Sequence, residues 1–144
     1  AEVVAADPHE RGRRQVLNAG HTVAHALELE TGFALRHGEA VAIGLVVEAA
    51  LGERVGVTQD GTADALRSAL GGAGLPVAVP AGLDAARLVA AMRVDKKARR
   101  GRLAFALLQA IGQPAGDDRR GWATVVDDAL VADVLGAPAP PVQG

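Results

Sequence analysis

The sequence predicts a mainly α-helical fold, and three observations lead there. Alanine supplies much of a composition that is 49% hydrophobic, and only Phe33, Phe105 and Trp122 are aromatic. Alanine is the strongest helix former and loses no side-chain entropy on folding, so helices packed closely through small residues are expected. Several runs repeat apolar residues at helical spacing, each bounded by a glycine or a capping side chain. Only one stretch, Arg102 to Ile111, alternates with the period of a strand.

Each element follows in order. Residues 10–31 have helical spacing, with Gly32 placed to stop them. His37-Gly38-Glu39 opens a second helix through Val55, closed by Gly56. Thr58 is read as the cap of a third, running through Ala63 and Leu66 to Leu70, before Gly71 and Gly72. Leu75 to Pro80 carries two prolines and is extended or turning. Asp84 starts a fourth helix through Leu88 and Met92. Leu103, Phe105 and Leu107 then alternate with small or charged residues. Trp122 to Val126 could pair with that strand across the turn-rich Gly112–Gly121 segment, giving one short β-hairpin. Asp127 caps a last helix to Leu135. The expected organisation is a helical domain over 1–136 and a disordered, proline-rich tail over 137–144.

A chain of 144 residues fits one domain, able to bury about 68–70% of its unfolded surface. Its net charge of −2 does not point to nucleic acid or an anionic membrane as partner. It has no cysteine, which removes disulfide scaffolds and thiolate metal sites. No apolar run is long enough to cross a bilayer and no signal peptide opens the chain, so the cytoplasm is the default location. The first residue is Ala1, and Ala1-Glu2-Val3-Val4 reads as the interior of a longer sequence.

The chemistry concentrates near one end. On a helix at about 100° per residue, Arg14, Asn18, His21 and His25 fall on one narrow stripe, with Val16, Val23, Ala26 and Leu27 roughly opposite. A merely wet helix face would favour Lys and Glu, which are better helix formers than Asn and His. His37 stands at a helix start, where a neutral imidazole, the form a divalent metal needs, suits the positive end of the dipole. All four histidines lie between positions 9 and 37, and three flank one helix–turn–helix. That clustering points to a metal site rather than a solvated face. The string His21-Thr22-Val23-Ala24-His25 lacks the glutamate of a zincin helix, which argues against a metalloprotease.

These strings resemble the signatures of the 3-dehydroquinate synthases. Arg14-Gln15-Val16-Leu17-Asn18-Ala19-Gly20-His21-Thr22-Val23-Ala24-His25-Ala26-Leu27-Glu28 is similar to that family's R-x-x-LN-x-GHT-x-GHA-x-E, departing from it at Ala24, where glycine is usual. His37 to Gly44 matches HGEAVAIG. Asp95-Lys96-Lys97, then Gly101 and Phe105 to Gly112, match a third motif. The resemblance covers roughly residues 1–136.

The resemblance implies that His21 and His37 are two of three protein ligands to a catalytic Zn2+ or another divalent metal such as Co2+. The third, a glutamate, belongs upstream of Ala1. It implies that Arg14 and Asn18 bind substrate, that Lys96 or Lys97 reaches its phosphate, and that His25 relays protons beside the reacting carbon. The solvated-loop reading is kept for Arg99, Arg100 and Arg102. The implied reaction turns 3-deoxy-D-arabino-heptulosonate 7-phosphate into 3-dehydroquinate and phosphate, a step of the shikimate pathway in aromatic amino acid biosynthesis. NAD is used and regenerated, and the enzyme is a carbon–oxygen lyase. The only glycine cluster, Gly71-Gly72-Ala73-Gly74, follows a helix rather than a strand, so NAD is expected on an N-terminal domain outside this chain. The isolated chain is then inactive, and the full-length enzyme is expected to be a homodimer. Two other readings stay open. One is a related sugar-phosphate cyclase, such as a 2-deoxy-scyllo-inosose or 2-epi-5-epi-valiolone synthase. The other is a non-catalytic helical domain that binds a metal or a phosphate.

Overall fold

The computed structural model describes residues 19–95, 102–116 and 123–136. Among them the chain is mainly α. Helices α1 (His21–Glu30), α2 (His37–Val55), α3 (Thr62–Gly72) and α4 (Ala85–Asp95) come first. Strands β1 (Arg102–Phe105), β2 (Leu108–Ala110), β3 (Gln113–Pro114) and β4 (Thr124–Asp127) follow, and α5 (Asp128–Gly136) comes last. No described helix is long and apolar enough to cross a membrane.

Helix α2 is the axis of the fold. At 19 residues it is about 28 Å long, and α1, α3 and α5 all pack against it. Its Ala40, Ile43, Val47 and Leu51 meet Val23, Ala26 and Leu27 of α1 in one core cluster. Leu88 and Met92 of α4, Leu103, Phe105 and Val126 of the sheet, and Val131 and Leu135 of α5 complete that cluster. A second, smaller cluster joins Val46 and Ala49 of α2 to Ala63 and Leu66 of α3. A helix covered on several sides must be apolar over most of its circumference, which explains why α2 carries so few charges.

Most boundaries fall where local chemistry puts them. Gly56 takes the left-handed conformation that ends α2. The Asp84 carboxylate accepts the Ala86 N–H at 3.0 Å as α4 begins. The expected strand pairing is present, β1 running antiparallel to β4 with Leu103 opposite Val126.

Three expectations need correction. The helix expected over 10–31 is not continuous, because Gly20 has φ +80° and α1 starts only at His21. Thr58 does not cap the third helix. It is buried, and its hydroxyl donates to the Leu108 carbonyl at 2.5 Å, 50 residues on. Gly61 occupies the capping position of α3 instead. The turn-rich segment also holds more order than expected, since its β3 pairs antiparallel with β2, which falls within the expected strand stretch. The proline-rich tail over 137–144, and Trp122, lie outside the described residues.

Candidate metal centre

The start of α1 is fixed by its neighbour α2. Gly20 turns in the left-handed region, and a Cβ there would meet the Val41 carbonyl and the Leu45 side chain at 3.0–3.1 Å. Gly44 of α2 comes closer still. A Cβ on it would lie 2.1 Å from the Gly20 carbonyl oxygen, so only glycine permits this approach. One turn further along α2, the buried Glu48 carboxylate accepts the Gly20 N–H at 3.1 Å and the Val23 N–H at 3.3 Å. The first N–H groups of a helix have no partner within it, and a carboxylate both satisfies them and complements the dipole. The backbone on either side of His21 is thereby tied to the helix that begins with His37.

Three imidazoles meet at this junction. The ring centres of His21 and His37 are 5.4 Å apart, His21 and His25 6.0 Å, and His25 and His37 6.4 Å. His21 and His25 lie one turn apart on α1, and His37 reaches them across the turn of residues 31–36. That turn is tight, with both Gly32 and Phe33 at positive φ. The side chain of Glu39 accepts the Arg36 N–H at 2.9 Å and caps α2 as it starts.

The chemistry of these donors suits a divalent cation. His21 Nδ1 stands 3.1 Å from the Ala19 carbonyl oxygen, and His37 Nδ1 stands 2.9 Å from Oε1 of Glu28. A carbonyl or carboxylate oxygen accepts only, so Nδ1 carries the hydrogen in both rings, leaving each Nε2 lone pair for a metal. Bonds of about 2.0–2.1 Å from one tetrahedral cation to two imidazole nitrogens put their ring centres about 5 Å apart. The His21–His37 separation matches that distance best, and both separations to His25 exceed it. Among the described residues, no group of three or more His, Asp or Glu side chains is arranged to hold a metal without outside ligands.

Of the residues singled out in the sequence, the structure brings His21, His25 and His37 together. Arg14, Asn18, Lys96 and Lys97 lie outside the described residues. Two residues escaped the sequence reading. Glu48 was passed over, because nothing local shows which backbone, 28 residues earlier, its carboxylate acts on. Glu28 entered only as the last residue of the first motif, and its bond to His37 depends on the turn geometry. A charged residue in an otherwise apolar run, as Glu48 is in Leu45 to Leu51, is the one signal that could have found the first.

The 3-dehydroquinate synthase C-terminal family matches residues 1–98. The chain belongs to this family. A 3-dehydroquinate synthase of Xanthomonas campestris pv. campestris is 40% identical over 141 residues, covering 94% of this chain and 36% of that protein. One from Nitrobacter hamburgensis is 44% identical over 149 residues, covering 96% and 39%. The chain therefore spans little more than a third of the curated relatives it matches. A solved 2-deoxy-scyllo-inosose synthase, complexed with carbaglucose-6-phosphate, NAD+ and Co2+, aligns with TM-score 0.80 at 26% identity. That alignment covers 93% of this chain and 36% of the other. The helical fold described above is thus shared between the dehydroquinate synthase C-terminal family and a related cyclase.

Proposed function

We propose that this chain is the metal- and substrate-binding part of a 3-dehydroquinate synthase, which acts together with an NAD-binding domain preceding it. The observation that carries this reading is the meeting of His21 and His37 at 5.4 Å with both Nδ1 atoms engaged, in a chain of this family. His21 and His37 would hold a divalent cation, zinc in this reading, with a glutamate of the preceding domain as third protein ligand. When bound, such a cation supplies Lewis acidity that makes a coordinated substrate hydroxyl easier to deprotonate. NAD, held by the preceding domain, would supply hydride-transfer chemistry to the substrate.

The chain's own residues orient the substrate and move protons. Arg14 and Asn18 would bind its carboxylate or phosphate, the guanidinium through paired charge-assisted hydrogen bonds. Lys96 or Lys97 would hold the phosphate. His25 stands next to the two ligands but at longer separations from them, which suits a group exchanging protons with substrate. Most of the catalytic effect would come from orientation and placed charge. The enzyme so read is cytoplasmic and homodimeric.

The shared fold with a 2-deoxy-scyllo-inosose synthase supports a second reading, a cyclase acting on a hexose phosphate. The 40–44% identity to 3-dehydroquinate synthases favours the first. Phosphate release decides between them. The enzyme carrying this domain is expected to release phosphate from 3-deoxy-D-arabino-heptulosonate 7-phosphate, with NAD and zinc, and not from a hexose 6-phosphate. The opposite preference would transfer the chain to the other cyclase. The 144-residue chain alone, given NAD and zinc, is expected to release none.

A further inference from the structure

The two partners in the His37–Glu28 contact differ sharply in exposure. The His37 side chain is 58% exposed, whereas the Glu28 carboxylate that meets it is 15% exposed. Water can solvate an exposed imidazole in any orientation and in either tautomer. In solution the Nε2–H form of a neutral imidazole is the more populated one, and that form would present the wrong nitrogen here. The hydrogen bond to Glu28, 2.9 Å long, selects the other form and aims Nε2 away from the carboxylate, on the opposite side of the ring. Glu28 is itself anchored. It lies on α1 one turn beyond His25, and α1 is fastened to the core by Val23, Ala26 and Leu27. The Phe33 N–H bonds to the Glu28 backbone carbonyl at 2.7 Å, so the turn that delivers His37 folds back onto the same residue.

We infer that Glu28 is a positioning residue for the metal centre: its carboxylate fixes the tautomer and direction of His37. This rests on the proposed metal role of His37. Glu28 is not a ligand in this arrangement, because its oxygen occupies the ring nitrogen facing away from the one left for the cation. Groups that orient metal-binding imidazoles this way commonly govern affinity by about 10–100-fold.

The test has two arms, both on the 144-residue chain, and neither measures turnover. Nitrogen-15 NMR of the histidine rings reads the tautomer of His37 without metal. The wild-type chain is expected to show protonated Nδ1, Glu28→Gln to retain it largely, and Glu28→Ala to shift the ring toward the Nε2–H form. Calorimetric titration with zinc reads affinity. With only two imidazoles from this chain, binding is expected to be loose, weakened about tenfold in Glu28→Ala and much less in Glu28→Gln. His21→Ala and His37→Ala serve as references. If they abolish zinc binding while Glu28→Ala leaves it unchanged, this inference falls and the metal reading stands. If neither reference variant changes zinc binding, the metal reading fails and takes this inference with it. A wild-type His37 ring protonated at Nε2 overturns the inference whatever the zinc data show.

Discussion

His21 and His37 stand 5.4 Å apart, yet they are held by opposite means. His21 is half-buried, next to buried Gly20, Thr22 and Val23, and its flanking backbone is locked to α2 by a glycine contact and the Glu48 carboxylate. His37 stands at an exposed helix start, reached by a turn with two consecutive positive φ values and steadied by its ring's hydrogen bond to Glu28 and by the Arg36 N–H bond to Glu39. One half of the site is therefore built by exclusion of water and steric fit. The other is built by polar contacts that water can rival. Damage to the first half should appear as lost stability, and damage to the second as lost ligand geometry in a protein that remains folded.

The largest effect is expected at Gly44. Alanine would gain up to about 1 kcal/mol of helix propensity, but its Cβ cannot sit 2.1 Å from the Gly20 oxygen. The two helices must separate, and Gly44→Ala is expected to cost about 3 kcal/mol, the upper end of overpacking penalties. Urea denaturation measures this, and an unchanged midpoint would mean the contact is not tight. Glu48→Ala comes next. It leaves the Gly20 and Val23 N–H groups without their acceptor, at about 2 kcal/mol in the same assay.

At the exposed half the effects on stability shrink. Phe33 has φ 64° and a side chain 65% exposed, so it contributes strain and little burial. Phe33→Asn, a residue that tolerates this region, is expected to raise stability by about 0.5 kcal/mol, seen as a small rise in Tm. The ion pair of Arg54 and Asp133 is exposed on both sides. Removing it with Asp133→Ala should change stability by about 0.5 kcal/mol or less. A larger loss would show that α2 and α5 depend on that pair more than on Val131 and Leu135.

The same division explains what could be read from the sequence. Helix ends at Gly56 and Asp84 are decided within a few residues, and the periodicity of Val23, Ala26 and Leu27 records burial directly. Gly20 was misread because the spacing from Arg14 to His25 continues smoothly through it, although a glycine in mid-helix is costly and should have suggested a break. The contacts of Thr58 and Glu48 were beyond reach for another reason. Their partners lie 50 and 28 residues away, and such long-range hydrogen bonds leave no periodic trace. Strand β3 was hidden in a segment whose Gly112, Pro114 and Gly116 read only as turns. The histidine junction was legible because the spacing of His21 and His25 and the short turn before His37 leave few ways to arrange them. Its tautomers were not, since they depend on which oxygen each Nδ1 meets.

The central claim is the division of labour among three neighbouring imidazoles, and metal content measures it most directly. In the enzyme proposed to join this domain to an NAD-binding one, His21→Ala and His37→Ala are expected to lose the divalent metal assigned to them. His25→Ala should keep it and lower kcat by about 10²–10⁴-fold, the range for a lost acid–base group. Metal analysis of the three purified variants alongside their turnover supplies both numbers. Metal lost as fully from His25→Ala as from His37→Ala would contradict the account, as would metal retained in full by His21→Ala or His37→Ala.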